Sequence, residues 1–371
     1  MESIIPLAPF VFGPFLVTAL FMPLVKQLAW ALDLVDHPAA AAHKSHEHTT
    51  PYGGAIAIAL GLSIGLFLCV PSLLAELPFL LDRHDIPWLL SVSWLSQEFL
   101  RQSVLFTSLL GCGFALFLIG LVDDWRGLAP LPRFVAQLAI ITFLVYAQPA
   151  FRLELLPGVP LVNAALTVLW IGTMTNAFNF LDNMDGLSAG IAAIVLVFLA
   201  FAALMAGESG AAVLCLSTFG ALCGFLLFNL PPASIFMGDA GGLFLGFITS
   251  ALSAYLSQIY GSTGLEPQLQ WAPLLILAIP IYDFSSVNYL RIRSGHPPWL
   301  GDKNHISHRL VRLGFSRKNA VIFIYIATAL IAIAPLIALH PARSTHWLWG
   351  APVALALLAI VDAVVYRRPK D

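Results

Sequence analysis

Charge is what this 371-residue sequence has least of. Lys, Arg, Asp and Glu together make up 10% of it, against 59% hydrophobic residues, and the mean hydropathy is +0.87. Soluble globular domains carry about a quarter charged residues and roughly half apolar ones, so that class is excluded. The net charge of −2 offers no argument for a nucleic-acid partner, and none is expected. Cysteine is scarce too. Cys69, Cys112, Cys215 and Cys223 all sit in apolar segments, with no CxxC and no Cys/His cluster, which leaves neither a disulfide framework nor a zinc site. The amino terminus, MESIIPLAPF, lacks a basic flank and a small-residue cleavage site, so its apolar run is expected to stay as a span rather than leave as a signal peptide. Tandem repeats, low-complexity tracts and a dividing linker are also missing, which argues for a single domain over residues 1–371.

Apolar runs of membrane length are abundant. A helix needs about 20 such residues to cross the hydrocarbon core. The expectation is an all-α polytopic membrane protein with about eleven spans, near 6–31, 53–75, 103–122, 132–149, 159–179, 188–206, 211–229, 241–260, 271–290, 319–339 and 346–366. Alternate counting places loops 32–52, 123–131, 180–187, 230–240 and 291–318, with the tail RRPKD, on one face. That face holds 13 of the 18 Lys and Arg, including Arg133 at the start of the fourth span. The positive-inside rule makes it cytoplasmic, with the N-terminus outside and the C-terminus inside. The same assignment gathers Asp36, HKSHEH (43–48), Asp123 with Asp124, Asp182 with Asp185, Asp239, and KNHISH (303–308) on the cytoplasmic side, which points to one site. The outer loop near 76–102, with two Trp and mixed charge, reads as a helix lying in the membrane interface.

Several short stretches carry chemistry. NAFNFLDNMDG (176–186) ends an apolar run with a cluster of polar residues. Asp182 and Asp185 are three apart and share a face if the helix continues. Their oxygens are hard ligands suited to Mg²⁺, although a polar helix cap is the simpler alternative. LVDDWRGL sets Asp123 beside Asp124, two carboxylates that repel unless a cation or basic partner joins them; a solvated helix end is the alternative. FNLPPASIFMGDAGG (228–242) is a proline-broken turn followed by glycines and Asp239 at a helix start, where a cap and a metal ligand are both consistent readings. GDKNHISHRLVRLGFSRK, with Arg291 and Arg293 before it, collects seven cations plus His305 and His308. It suits phosphate recognition or, more plainly, anionic head groups. HKSHEHTTPYGG offers Lys44 and His46 in what is otherwise a solvated turn.

Taken in order, DHP with HKSH and TPYGG, VDDWRG, NAFNFLDNMDGL, FNLPPASIFMGDAG, IPIYD (279–283) and GDKNHISHRL resemble the polyprenyl-phosphate N-acetylhexosamine-1-phosphate transferase family over residues 36–313. That resemblance implies transfer of a sugar-1-phosphate, with N-acetylglucosamine favoured, from a UDP-sugar to a polyprenyl phosphate. It also implies Mg²⁺, with Mn²⁺ as the alternative ion, a bacterial-type inner membrane with a cytoplasm-facing site, and the first membrane step of an envelope polysaccharide. A homodimer is a further expectation. By the same resemblance Asp239 matches the Mg²⁺ ligand, and Asp123 and Asp124 match the pair at the lipid phosphate. Asn179, Asp182 and Asp185 match the nucleotide and metal positions, with Asn176 at the head of that motif. Asn229 and Phe236 match nucleotide contacts, Lys44 and His46 substrate contacts, and His305, His308 and Arg309 the motif receiving the diphosphate. Ser307 stands where the family usually has His. It is expected to point partly away from the His305/His308 face, so that Ser307→His changes little; the alternative is that His46, on the same face, replaces the missing imidazole. A muramoyl-pentapeptide branch is the nearest alternative. A CDP-alcohol phosphatidyltransferase is disfavoured by Gly190 and by the lack of later aspartates, and a transporter by acids placed at span ends rather than at the midplane.

Overall fold

The computed structural model describes residues 7–36, 49–69, 102–262, 266–297, 302–340 and 343–366. Its helices are α1 (Ala8–Ala31), α2 (Gly54–Cys69), α3 (Ser103–Arg126), α4 (Pro130–Ala147), α5 (Pro160–Leu181), α6 (Leu187–Met205), α7 (Ser209–Asn229), α8 (Asp239–Ser262), α9 (Ala272–Leu275), α10 (Ala278–Arg293), α11 (Ile306–Arg312), α12 (Arg317–Ala338) and α13 (Gly350–Tyr366). A two-residue antiparallel ladder pairs β1 (Val35–Asp36) with β2 (Thr50–Pro51). The interfacial helix expected near 76–102 and the HKSHEH stretch, with Lys44 and His46, lie outside the described residues.

Eight of the described helices are long and apolar enough to cross a bilayer, and a bent pair makes a ninth; α2 and the 345–359 stretch are shorter apolar helices. The chain is a multi-pass membrane protein. The span expected at 271–290 is bent, with Pro267–Leu275 and Ala278–Arg293 meeting at 71°. The break has a local cause. Pro280 stands in the first turn of α10 and has no N–H to give the Ile276 carbonyl, so one bond of a continuous helix is missing where the bend falls. Helices α4 and α5 begin on Pro130 and Pro160, where the missing N–H would have had no helical partner anyway.

Helix α8 is the axis of the bundle, with its entire apolar window buried. It packs on α3, α5 and α6, while α1 lies against both α2 and α7. Four buried threonines are satisfied locally. Thr167, Thr175, Thr218 and Thr249 each donate to the carbonyl four residues earlier at about 2.7–2.8 Å, so they add no unpaired group to the apolar interior. Outward, α1 exposes Phe12, Leu16, Leu20 and Leu24 at four-residue spacing, a stripe for lipid rather than water. Gly120 decides how closely α3 approaches the axis: a Cβ there would lie 2.4 Å from the Ala240 Cα. That contact sets the end of α3 against the start of α8.

Candidate active site

The C-terminal ends of α3, α5, α7 and α10 and the N-terminal ends of α8 and α12 meet around a cavity of about 590 Å³. These are the ends that loop counting assigns to one face. Seven aspartates border it, Asp36, Asp123, Asp124, Asp182, Asp185, Asp239 and Asp302, across from Arg291, Arg317, His305 and His308.

The acidic wall is built on α8. Asp239 is its first residue, and the cap comes from another helix: Asp124 accepts from the Asp239 N–H at 2.7 Å and the Ala240 N–H at 3.1 Å. Gly238, at φ +81°, makes room, since a Cβ there would come within 2.4 Å of Asp124 Oδ2. Both Asp124 oxygens are therefore committed to holding α3 on α8. Asp239 Oδ1 accepts from Asn179 Nδ2 at 2.8 Å, and its Oδ2 accepts from Arg133 at 2.6 Å. The same Arg133 nitrogen also pairs with Asp123 Oδ2, and Asp123 Oδ1 takes the Leu128 N–H at 2.6 Å.

Asp182 terminates α5 and Gly186 turns the chain at φ +75° into α6, so the expected single-face pair at 182 and 185 sits in a turn rather than on a continuing helix. Asp185 accepts from the Ala233 N–H at 2.9 Å. Asn229 takes the Gly186 N–H at 2.9 Å and donates to the Ile235 carbonyl at 2.8 Å, which ties the 182–186 turn to the 230–238 loop. No described residue donates a hydrogen bond to the Asp182 carboxylate. Burial and the nearby Asp239 and Asp185 push its pKa up to about 7. Such a donor set suits a divalent cation. Among the described residues no three His, Cys, Asp or Glu form a ready cage.

The basic wall follows the break in the ninth span. Asp283, fully buried on α10, accepts from the Ile306 N–H at 2.7 Å and sits 2.7 Å from His305 Nδ1, which leaves Nε2 as the ring nitrogen for the cavity. Burial, then His305, Lys303, Arg312 and Arg317, hold His308 down at about 4. It is neutral at pH 7. Arg291 pairs with Asp302 at 3.0 Å and lies 5.2 Å over the Phe180 ring, while that pairing helps keep the Asp302 carboxyl below its usual range against the effect of burial. Tyr52 and Phe236 place rings 6.2 Å apart on a third side. The 236 strand-like stretch is fastened there by the Phe236 N–H to Pro51 carbonyl bond at 2.8 Å.

Of the residues expected from sequence, Asp123, Asp124, Asp182, Asp185, Asp239, Asn179, Asn229, Phe236, His305 and His308 line the cavity. Arg309 and Asn176 do not. The Arg309 guanidinium turns to Ser286 Oγ at 2.7 Å and the Tyr282 ring, and Asn176 donates to Gln137 and the Gly172 carbonyl. Ser307 does point away from the cavity, but it is completely buried and donates to Asn183 Oδ1 at 2.6 Å, packing that does not fit the expectation that Ser307→His changes little. Sequence reasoning gave Arg133 and Asp283 no site role. A lone Arg opening an apolar run and a lone Asp inside IPIYD were the available signals.

A helical membrane protein whose span ends deliver carboxylates, imidazoles and arginines to one cavity belongs to the class of integral-membrane enzymes that handle phosphate-bearing substrates. The glycosyl transferase family 4 profile matches residues 106–257. The chain is 30% identical over 95% of its length to 88% of the probable undecaprenyl-phosphate N-acetylglucosaminyl 1-phosphate transferase of Bacillus subtilis. It is 31% identical, over 69% of both chains, to the decaprenyl-phosphate N-acetylglucosaminephosphotransferase of Mycolicibacterium smegmatis. It is 26% identical to an Escherichia coli undecaprenyl-phosphate alpha-N-acetylglucosaminyl 1-phosphate transferase, covering 93% of this chain and 87% of that one. The chain belongs to the polyprenyl-phosphate N-acetylhexosamine-1-phosphate transferase family and is a phosphoglycosyl transferase.

Proposed function

We propose that this enzyme moves N-acetylglucosamine-1-phosphate from its UDP-sugar to a polyprenyl phosphate at the cytoplasmic face of an inner membrane, releasing UMP. The observation that carries the reading is the single cavity in which seven aspartates face two arginines and two histidines at the ends of the spans. The relatives' printed activities support the lipid acceptor and the sugar.

Phosphoryl transfer asks the protein for positioning and charge neutralisation more than for covalent chemistry. Asp239 and Asp182 would hold Mg²⁺, or Mn²⁺ in its place, and the ion's contribution is to neutralise the donor diphosphate. The rings of Phe236 and Tyr52 offer an apolar edge for the base. His305, fixed by Asp283, presents Nε2 to a phosphate oxygen. His308 starts neutral because it is buried and, second, because its surroundings are cationic; an arriving diphosphate would offset the cationic part and favour taking a proton as charge develops on the leaving phosphate. The acceptor monophosphate has a second pKa near about 6, so it is largely dianionic at neutral pH and needs little base catalysis. In direct attack its oxygen forms the new P–O bond to the sugar-bearing phosphorus as the bond to UMP breaks. Asp123, at the cavity wall, would position the acceptor. Trapping a labelled enzyme after incubation with UDP-sugar alone would instead support a covalent carboxylate intermediate.

The test is purified protein with polyprenyl phosphate, Mg²⁺ and a panel of UDP-sugars, reading UMP release. UDP-N-acetylglucosamine should give UMP. Release only with UDP-N-acetylmuramoyl-pentapeptide would move the enzyme to the other branch, and no release from any UDP-sugar would overturn the reading.

A further inference from the structure

Each oxygen of the two carboxylates most central to the acidic wall already accepts from a protein donor. Asp239 uses one oxygen for Asn179 and the other for Arg133; Asp123 uses one for the Leu128 N–H and the other for the same Arg133 nitrogen. Asn179 and Leu128 donate from a helix end and from backbone, and neither can leave without rebuilding the site. Arg133 stands in the first turn of α4 on a long side chain whose exposure is 19%, and it is the one charged donor of the three. Its single NH1 bridges carboxylates from α3 and α8, sequence positions 123 and 239, and it relieves a repulsion that those two acids would otherwise feel.

We propose that Arg133 is the resident counter-cation of the Asp123/Asp239 pair, and that a divalent cation binds by displacing its guanidinium from Asp239. The inference rests on the reading of Asp239 as a metal ligand. A dication on Asp239 Oδ2 meets a positive neighbour already bound to that oxygen, so cation affinity is set by competition with this side chain. Without the cation, the same contacts keep the start of α4 and the ends of α3 and α8 together. Arg133 is thus a positioning residue that makes the site selective for ions able to outcompete a guanidinium, and it excludes a purely monovalent occupant.

The experiment is Mn²⁺ binding to the full-length protein in detergent micelles, with no nucleotide or lipid, read from the electron paramagnetic resonance signal of free Mn²⁺. Arg133→Gln should tighten Kd about tenfold, the scale of one charge-assisted contact, and Arg133→Lys should fall between it and wild type. Asp239→Asn should abolish binding at this site. A Kd in Arg133→Gln equal to or weaker than wild type, with Asp239→Asn still losing the ion, overturns this inference alone. Mn²⁺ binding that survives Asp239→Asn removes the metal reading and the inference together. Should Arg133→Gln fail to fold, the wild type decides: phenylglyoxal modification of Arg133, followed by mass spectrometry, should become faster when Mn²⁺ is added. No change, or protection, refutes the displacement.

Discussion

Replacing Asp182 by Asn should stabilise the protein while disabling it, with a pH dependence that identifies the cause. The Asp182 carboxyl is raised from 3.8 to about 7, first by burial and then by Asp239 and Asp185. An acid whose folded pKa exceeds its unfolded value holds its proton in the native state after the unfolded chain has lost it. The folded state is therefore penalised progressively from about pH 4 to pH 7, and fully above that. At about 1.4 kcal/mol per unit the ceiling is about 4 kcal/mol, and solvent in the open cavity reduces it to about 2 kcal/mol for a half-buried group. For a chain of this length that corresponds to about 2–3 °C in Tm. Scanning fluorimetry in detergent should show Asp182→Asn melting higher than wild type at pH 8, with the gap shrinking toward pH 4. Mg²⁺ should raise wild-type Tm at pH 8 and leave the variant nearly unmoved, while UMP release falls at least about a hundredfold. A gap that does not change with pH would refute the burial argument. A variant more stable in the expected window yet fully active would remove Asp182 from the site.

Gly120→Val should drive α3 off Ala240, cost about 1–3 kcal/mol and cut activity by moving Asp123 and Asp124; unchanged Tm and turnover would show that the contact is slack. Ser307→His should lower both Tm and activity, because the site is completely buried and its hydroxyl is bonded to Asn183, so a variant indistinguishable from wild type would contradict that packing. Asp283→Asn should lower kcat/KM by about 10–100-fold and shift the pH–rate profile by freeing the His305 tautomer, whereas an unshifted profile would reduce Asp283 to a structural role. On intact cells a membrane-impermeant thiol reagent should modify Ser344→Cys and spare Ser316→Cys, both exposed positions; the reverse would put the cavity outside.

Much of the architecture followed from sequence because bilayer thickness allows few solutions. Apolar runs of span length and the Lys/Arg bias were enough to mark the helices and to gather Asp123, Asp182, Asp239 and His305 at one end of the bundle, and the ordered motifs pointed to the family. Tertiary structure decided what those side chains do. That Asp124 spends both oxygens capping α8, that Arg133 bridges two helices, that Asp283 aims His305, and that Arg309 and Ser307 turn from the cavity are contacts between residues 10 to 124 positions apart. No local pattern encodes such pairings. Hydropathy reports which segments leave water, but the close approach at Gly120 and the bend before α10 set the helix positions, and those positions determine which acid is left to hold a cation.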